Sequence, residues 1–382
     1  MKMVKESRVC MVTVPLQQLS GGYYTIITNL IHIFEPITQK LIFITFNYPI
    51  NMDLKLNIKP IFLNYKKSDF ILLKILSFVL VQLQVSFALI RFNSQIGEKI
   101  FFLTGTSLLP MLTAKLLGKK TILTAIASES KNIIYIYKGR SIFGKIFSNI
   151  ILALEILCRD ISDGIIVESP NLILTLGLNK YKHKIFPNGA LFIDTSLFRI
   201  ITPLRNRKNL IGYFGRLSEE KGVINFAKST HQILKKLDNV KFLIGGNGPL
   251  YNDVEKEINC KTILCGQIPR ENLYEYLNKV KLIVLPSYTE GLPNIVLEAM
   301  ACGTPVLATS VGAIPDLIKD GETGFIMENN SPTCIAENVI RVLEYPDLDK
   351  IVYNARKLIE NEYKYEVTVE KYKQILDCSH IN

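Results

Sequence analysis

Two glutamates, Glu290 and Glu298, stand on either side of a Gly-Leu-Pro-Asn turn, with seven residues between them. The apolar run 282–285 before the turn predicts a strand, and the residues from Asn294 to just before Gly303 predict a helix, because glycine commonly ends one. Glu298 lies four residues after Asn294, so both residues share one helix face. The pattern therefore predicts two carboxylates close to the beginning of one helix.

The beginning of that helix is a candidate anion-binding site. Backbone N–H groups in a first helical turn have no partner within the helix, and the helix dipole favours negative charge there. The candidate donors are the backbone groups of Leu292, Asn294 and Ile295. Ligands bind at the carboxyl ends of strands in open α/β sheets, and this helix follows such an end. Two glutamates alone are a weak signal, but the glycine and prolines between and around them indicate a specified turn.

A second group of charged residues lies in the string GRLSEEKG, residues 215–222. Arg216 follows a predicted strand and Lys221 precedes a predicted helix. Two cations on one strand-to-helix loop can hold a diphosphate, the arginine by its planar fork and the lysine as a point charge. Surface cations are the default interpretation of such a pair, but this loop is predicted at the same sheet edge as the glutamates.

The glycine-rich string IGGNGP, residues 244–249, also follows a predicted strand. It lacks both the G-x-G-x-x-G pattern of a dinucleotide fold and the lysine and hydroxyl residue of a Walker loop. The 7 cysteines are scattered without a C-x-x-C pair, which indicates reduced thiols and no metal centre.

Strand and helix patterns alternate along the whole chain, which predicts mostly parallel sheets and an α/β fold. They do so twice, on either side of the polar segment 191–209. We therefore predict an N-terminal domain over 1–195 and a C-terminal domain over 205–362. The chain of 382 residues, 48% of them hydrophobic, is long enough for two such cores.

The net charge of +11 lies in one half of the chain. Residues 1–190 hold 22 Lys and Arg against 10 Asp and Glu, whereas residues 191–382 hold 23 against 24. This asymmetry indicates an anionic partner for the first half, such as a membrane surface. A nucleic-acid partner is not expected, because no recognition motif is present and the cations are interspersed with isoleucine.

Two apolar stretches bear on a membrane partner. The stretch 70–91 approaches the length of a membrane span, but a polar stripe of Lys74, Ser77, Gln84 and Arg91 favours a buried or surface-lying helix. The stretch 131–152 mixes four cations with isoleucines and aromatics, which suits either a membrane interface or an ordinary core-facing helix. The apolar run near the N-terminus predicts a first strand rather than a signal peptide.

The strings GRLSEEKG, IGGNGP and EGLPNIVLEAMACGTPVLAT, in this order, resemble the glycosyltransferases of family GT4, also called group 1. The resemblance covers essentially the whole chain and is most specific over 210–325. It implies a GT-B fold, in which two Rossmann-like doubly wound domains face each other across a cleft. It also implies a tail, here about 363–382, that crosses back to the N-terminal domain.

The resemblance further implies a role for each motif residue. Arg216 and Lys221 would neutralise a departing nucleoside diphosphate, Glu290 would contact the donor sugar, and Glu298 would hold the ribose. Further donor contacts would come from Gly22 in the first loop, from Ile268 near the base, and from Gly291, Leu292, Asn294 and Ile295 around the phosphates. Such an enzyme retains anomeric configuration and needs neither a metal nor another cofactor.

One position departs from the family pattern. Many members carry histidine after the strand matched by 121–124, but this chain has no histidine between His32 and His183. Ser128 or Glu129 is the candidate replacement, and a degenerate protein that binds nucleotide-sugar or glycan without turnover is the alternative. We otherwise expect a hexosyltransferase on the cytoplasmic membrane face that uses a UDP- or GDP-sugar and a lipid-linked or growing glycan acceptor.

Overall fold

A computed structural model of the protein describes residues 8–14, 21–46, 57–63, 71–125, 130, 142–187 and 191–378. The chain divides into two compact units. The N-terminal unit comprises Met1–Leu191 and Thr368–Asn382, and the C-terminal unit comprises Phe192–Val367. The division falls at the first residue of the predicted linker, so the rest of that linker belongs to the C-terminal unit. The tail rejoins the N-terminal unit at Thr368.

The N-terminal unit is built on a seven-stranded sheet in the order β3-β2-β1-β4-β5-β6-β7, with every neighbouring pair parallel. Its strands are β1 (Arg8–Val12), β2 (Lys40–Phe46), β3 (Ile58–Leu63), β4 (Lys99–Phe102), β5 (Lys120–Ala125), β6 (Gly164–Val167) and β7 (Ile185–Pro187). Its helices are α1 (Gly21–Phe34), α2 (Ile71–Arg91), α3 (Leu108–Leu116), α4 (Ile142–Ile161) and α5 (Pro170–Thr175). None of the helices in the described part of the chain is long and apolar enough to cross a membrane.

The C-terminal unit repeats this plan with a six-stranded parallel sheet in the order β10-β9-β8-β11-β12-β13. Its strands are β8 (Leu210–Phe214), β9 (Lys241–Gly245), β10 (Thr262–Gly266), β11 (Leu282–Leu285), β12 (Val306–Thr309) and β13 (Phe325–Met327). Its helices are α6 (Val223–Leu234), α7 (Tyr251–Glu257), α8 (Leu273–Lys279), α9 (Asn294–Ala301), α10 (Ile314–Leu317), α11 (Pro332–Leu343) and α12 (Leu348–Glu362). The last helix, α13 (Tyr365–Asp377), leads back into the N-terminal unit.

The central strands are short, apolar and buried along their whole length, as in β6, β11 and β12. Such strands are typical of parallel sheets whose two faces are both covered by helices. In both units the strand order reverses beside the first strand, between β1 and β4 and between β8 and β11. Ligands of doubly wound sheets bind at the carboxyl ends of the strands at this switch point.

Candidate active site in the C-terminal unit

The two loops that carry the predicted site residues leave neighbouring strands of one sheet. Strands β8 and β11 pair in parallel, with Leu282 opposite Ile211 and Ile283 opposite Gly212. The GRLSEEKG loop follows β8, and the loop from Pro286 to Pro293 follows β11. Both loops therefore begin at the switch point of the C-terminal sheet, where the alternating sequence pattern predicted a ligand.

Backbone contacts hold these two loops together. Gly222 has φ +67°, and a Cβ added there would lie 2.0 Å from the carbonyl oxygen of Pro286. The N–H of Tyr288 donates to the carbonyl oxygen of Glu220 at 2.9 Å. Only glycine combines this left-handed backbone with so close an approach. Gly222 is thus the residue that lets the cation loop lie against the Glu290 loop.

Glu290 is fixed by two side chains at this edge of the sheet, and a third side chain holds the backbone of one of them. Its Oε2 accepts from Nζ of Lys221 at 2.7 Å, and its Oε1 accepts from Oγ of Ser287 at 2.6 Å. Thr309, at the end of β12, donates through Oγ1 to the carbonyl oxygen of Ser287 at 2.5 Å. The Glu290 side chain is 5% exposed and that of Lys221 is 26% exposed. The carboxylate is therefore held in one orientation by a cation and a buried hydroxyl.

A third loop, after β12, supports the backbone of Glu290 from its other side. Gly312 has φ +58°, and a Cβ there would lie 2.1 Å from the carbonyl oxygen of Glu290. The N–H of Ala313 donates to the carbonyl oxygen of Gly291 at 3.0 Å. The sequence analysis did not single out Gly312 as a site residue, although the glycine in the string VGAIPD was a signal for such a close approach.

Helix α9 begins at Asn294, as predicted. The residue before it, Pro293, has an extended backbone. No side chain caps its N-terminus. Asn294 and Ile295 are half-buried in the first turn, and Leu292 is buried just before it. The uncapped N–H groups and the helix dipole favour an anion at this position. The first turn of α9 thus has the uncapped start that an anion site requires, and anion binding there stays a prediction.

Glu298 lies on α9 and is buried, with 3% of its side chain exposed. Its Oε1 is 3.0 Å from Nη2 of Arg270, which is 44% exposed, but this oxygen accepts no hydrogen bond from the described residues. Burial raises the pKa of Glu298, and the charge of Arg270 only partly offsets that effect. A buried carboxylate oxygen without a donor is suited to accept from a ligand hydroxyl.

Arg270 is a residue that the sequence analysis missed. It belongs to the string CGQIPR, from which only Ile268 was singled out, and it follows β10 rather than β8 or β11. An arginine in a polar loop gives no local signal of a partner, because its carboxylate is 28 residues further along the chain. Only the folded chain brings the two together.

Ile268 and the glycine-rich turn lie at the ends of the neighbouring strands. A Cβ at Gly245 would lie 2.4 Å from Cδ1 of Ile268, so the isoleucine covers that glycine. Gly246 has φ +140°, and a Cβ there would lie 1.8 Å from the carbonyl oxygen of Gly215. The turn therefore packs its backbone against the GRLSEEKG loop, and its glycines are required by that packing.

Arg216 is positioned by its backbone and leaves its side chain exposed. Its carbonyl oxygen accepts from the hydroxyl of Tyr213, a fully buried residue of β8, at 2.9 Å. In the described residues its guanidinium has no ion pair or hydrogen bond. Of the two cations of this loop, Lys221 thus pairs with Glu290, and Arg216 is available to a ligand.

Three sequence-predicted residues belong to the N-terminal unit. Gly22 lies in the first turn of α1, directly after residues that the structure does not describe. Ser128 and Glu129, the candidate replacements for the absent histidine, lie outside the described residues. The donor contacts predicted for these residues stay predictions, as does a reaction without a metal.

A family model described as "Glycosyl transferases group 1" matches residues 194–361. One similar curated protein is the capsular polysaccharide biosynthesis glycosyltransferase CapM of Staphylococcus aureus. It is 29% identical over 179 residues, which are 45% of this chain and 47% of that protein. The chain spans about half the length of the curated relatives it matches.

Solved structures are similar over nearly the whole chain. Sucrose-phosphate synthase from Thermosynechococcus elongatus has a TM-score of 0.75 at 17% identity, over 97% of this chain and 98% of that one. HepE of Anabaena, solved in complex with UDP, has a TM-score of 0.72 at 15% identity, over 97% and 99% of the two chains. Residues 194–361 thus match the model of the group 1 glycosyltransferases, and the two doubly wound α/β units have the GT-B fold of these solved structures.

Proposed function

We propose that the protein transfers a hexose from a nucleoside-diphosphate sugar to a lipid-linked or growing glycan acceptor, with retention of anomeric configuration. The observation that carries this proposal is the position of Glu290. Its carboxylate is held by Lys221 and Ser287, four residues before the uncapped start of α9 and at the switch point of the sheet. This arrangement supports a carboxylate that binds sugar hydroxyls and a helix start that binds phosphate.

The proposed reaction breaks the bond between the anomeric carbon and the diphosphate oxygen. The electron pair of that bond leaves with the nucleoside diphosphate. An acceptor hydroxyl forms the new bond on the same face of the sugar and passes its proton to the departing phosphate oxygen. Arg216, Lys221 and the N–H groups of Asn294 and Ile295 would stabilise the charge that develops on the diphosphate. Preorganised donors of this kind act most strongly where charge appears in the transition state.

Glu298 fits the proposed ribose contact. Its carboxylate is buried, and one oxygen has no hydrogen-bond donor among the described residues. Two neighbouring ribose hydroxyls could donate to such a carboxylate. Arg270, at 3.0 Å, favours the ionised carboxylate and would orient it, although burial acts against ionisation.

The nucleotide and the acceptor are proposed from different observations. A nucleoside diphosphate is supported by UDP in the similarly folded HepE, although UDP and GDP remain alternatives here. A glycan or lipid-linked acceptor at the cytoplasmic membrane face is supported by the capsular polysaccharide role in the name of CapM and by the basic N-terminal half. Donor contacts of Gly22, Ile268, Gly291 and Leu292 belong to this proposal too.

Calorimetric titration with UDP, GDP, ADP and their sugars tests the nucleotide part. We expect one nucleotide to bind, and Glu298→Ala and Arg216→Ala to weaken its binding at least about tenfold, which is about 1.4 kcal/mol. Glu255→Ala and Lys236→Ala are matched controls, because both residues are exposed charges on other parts of the C-terminal unit. Binding that is equal in all four variants would contradict the proposed site.

The alternative of a degenerate binding protein is motivated by the absent histidine in the N-terminal half. It predicts tight binding of a nucleotide-sugar with no release of nucleotide, with or without acceptors. Measuring nucleotide release over hours from the donor identified by titration separates the two functions. Release that depends on Glu290 and Lys221 supports a transferase.

A further inference from the structure

Helix α2 has large apolar side chains on its solvent-facing side as well as on its core-facing side. Val81, Val85, Ala88 and Leu89 lie in the core of the N-terminal unit. Of the seven exposed residues between 76 and 90, one is Gln84 and six are large hydrophobics. These six are Leu76, Val79, Leu80, Leu83, Phe87 and Ile90. A helix that is apolar all round is normally covered on every side.

The exposed apolar surface continues over the next two helices. Helix α3 contributes Leu109, Leu112 and Leu116, and helix α4 contributes Ile146, Ile150, Leu152, Ile156 and Leu157. Fourteen of the twenty-one exposed large hydrophobic side chains in the described residues belong to α2, α3 and α4. They are therefore concentrated on one face, which we call the apolar face, and are not the scattered residues of an ordinary surface.

The sheet topology explains why the three helices form one face. Helix α2 connects β3 to β4, α3 connects β4 to β5, and α4 connects β5 to β6. These connections all run in one direction across a parallel sheet, and right-handed crossovers place such helices on the same side. Helix α3 packs against both α2 and α4, so it lies between them.

The charges on the apolar face have one sign. Arg91 at the end of α2 and Lys145 in the first turn of α4 are exposed, and neither has an ion pair in the described residues. The sequences of the three helices contain only two acids, Glu155 and Asp160. Glu155 is buried and paired with Arg159, whereas Asp160, at the last turn of α4, accepts from Lys180 and Tyr181.

We infer that the apolar face of α2, α3 and α4 docks onto an anionic lipid surface, with its leucines, isoleucines and Phe87 inserted at the interface and its cations at the head groups. This inference rests on the proposed function, since it supplies the surface for a lipid-linked acceptor. Apolar side chains with unpaired cations and few acids are the composition of helices that lie in the interface of an anionic membrane.

A second copy of the chain fits this face less well. A two-fold contact brings the same surface of both copies together. Arg91 and Lys145 of one copy would then lie near the same cations of the other copy. The described residues of these helices expose one acid that could neutralise them, Asp160, and it is already paired with Lys180. The excess of 12 positive charges in residues 1–190 would oppose such a contact and favour an anionic surface.

Flotation of the full-length protein with vesicles tests the inference. Wild-type protein should float with vesicles of phosphatidylcholine and phosphatidylglycerol at low salt and much less with phosphatidylcholine alone. The double variant Leu83→Gln with Phe87→Gln should bind the anionic vesicles roughly tenfold more weakly. Lys145→Glu should weaken binding about fivefold or more at low salt and little at high salt.

Ile263→Gln is the control, because Ile263 is 56% exposed but lies on β10 of the C-terminal unit, outside the apolar face. It should float as the wild type does. Circular dichroism and nucleotide titration of each variant show whether the fold and the C-terminal site are intact. The substituted positions are all exposed, so both measurements should match the wild type.

Three results would overturn the inference. The first is no flotation of wild-type protein with anionic vesicles at low salt, and the second is unchanged flotation of the double variant. The third is a wild-type dimer in sedimentation that the double variant converts to a monomer, which would assign the face to a second copy. Wild-type protein that binds nucleotide but does not float contradicts the docking surface alone, whereas wild-type protein that floats but binds no nucleotide contradicts the proposed function alone.

Discussion

At the scale of single residues, the site is organised around two buried carboxylates with different partners. Glu290 is paired with Lys221 and accepts from Ser287, whereas Oε1 of Glu298 lies 3.0 Å from Nη2 of Arg270 but accepts no hydrogen bond from the described residues. Lys221 therefore pairs with Glu290, and a bound diphosphate would have to share it. Arg216, exposed and without an ion pair in the described residues, is the cation that can respond to a ligand without losing a partner.

Glu298→Gln should have opposite effects on two properties of the protein, its affinity for the nucleotide and its free energy of unfolding above about pH 4.5. The amide removes the buried negative charge, so we expect nucleotide affinity to fall at least about tenfold. The pKa of Glu298 is raised from its ordinary 4.5 by burial, so the folded state binds this proton more tightly than the unfolded state. The free energy of unfolding of the wild type should therefore decrease as the pH rises above about 4.5, relative to the variant.

The measurement for Glu298→Gln is urea unfolding of both proteins from about pH 4.5 to about 8. The difference between their free energies of unfolding isolates the contribution of this one group. A variant that becomes less stable than the wild type as the pH rises would show that Arg270 stabilises the charge more than burial destabilises it.

Ser287→Ala tests whether Glu290 must be oriented to act. Ser287 is 1% exposed and donates to Glu290 at 2.6 Å. Loss of a hydrogen bond to a charged group corresponds to about 1.5–3 kcal/mol, so kcat should fall roughly tenfold or more while nucleotide affinity changes little. Ser229→Ala is the control, because that buried hydroxyl donates to a helix carbonyl away from the site. Equal effects of the two substitutions on kcat would contradict a positioning role.

At the scale of elements, the site depends on loops that touch through their backbones. The loops after β8, β9, β11 and β12 meet at glycines that have positive φ and no room for a Cβ. The clearest cases are Gly222 against Pro286, Gly246 against Gly215, and Gly312 against Glu290. Because these contacts are between backbones, a side chain introduced at any of them must move a whole loop.

Gly222→Ala should therefore impair the site more than it impairs the fold. The new Cβ would lie 2.0 Å from the Pro286 carbonyl, so the Lys221 loop and the Glu290 loop must separate. We expect nucleotide affinity to fall more than about tenfold. The control is Gly118→Ala, which has φ +71° and no neighbour within 4 Å of the added Cβ. It carries the same backbone penalty of about 1–2 kcal/mol without a clash. Equal affinities in the two variants would contradict the loop contact.

At the scale of the whole molecule, the chain contains two units that are both built on a parallel sheet. They differ in net charge and in whether one or two segments of the chain form them. The C-terminal unit is a continuous segment, Phe192–Val367, whereas the N-terminal unit is completed by the returning tail Thr368–Asn382. Tyr372 of that tail is fully buried and packs edge-to-face against Phe34, with ring centroids 5.2 Å apart. Nζ of Lys99 donates to the carbonyl oxygen of Leu376 near the end of α13.

Tyr372→Ala should destabilise the N-terminal unit by about 3–5 kcal/mol, the cost of deleting a large aromatic side chain from a core. Nucleotide binding by the C-terminal unit should remain in the folded protein. Scanning calorimetry together with nucleotide titration measures both effects. Tyr353→Ala, at a residue that is 64% exposed, should leave the thermal midpoint unchanged. A midpoint equally unaffected by Tyr372→Ala would show that the tail does not stabilise the unit.

The sequence alone determined the alternating α/β plan, the α9 boundaries and the motif positions. Strands β5 and β11 and helix α9 lie where the apolar periodicity and turn residues predicted them, because those signals are local. The edge strands β3, β7 and β13 were not predicted, since edge strands have weaker patterns and depend on their neighbours. Tertiary structure alone decided the pairing of Lys221 with Glu290 and of Arg270 with Glu298, and which side of α2 faces solvent. These are contacts between distant parts of the chain, which no local spacing encodes.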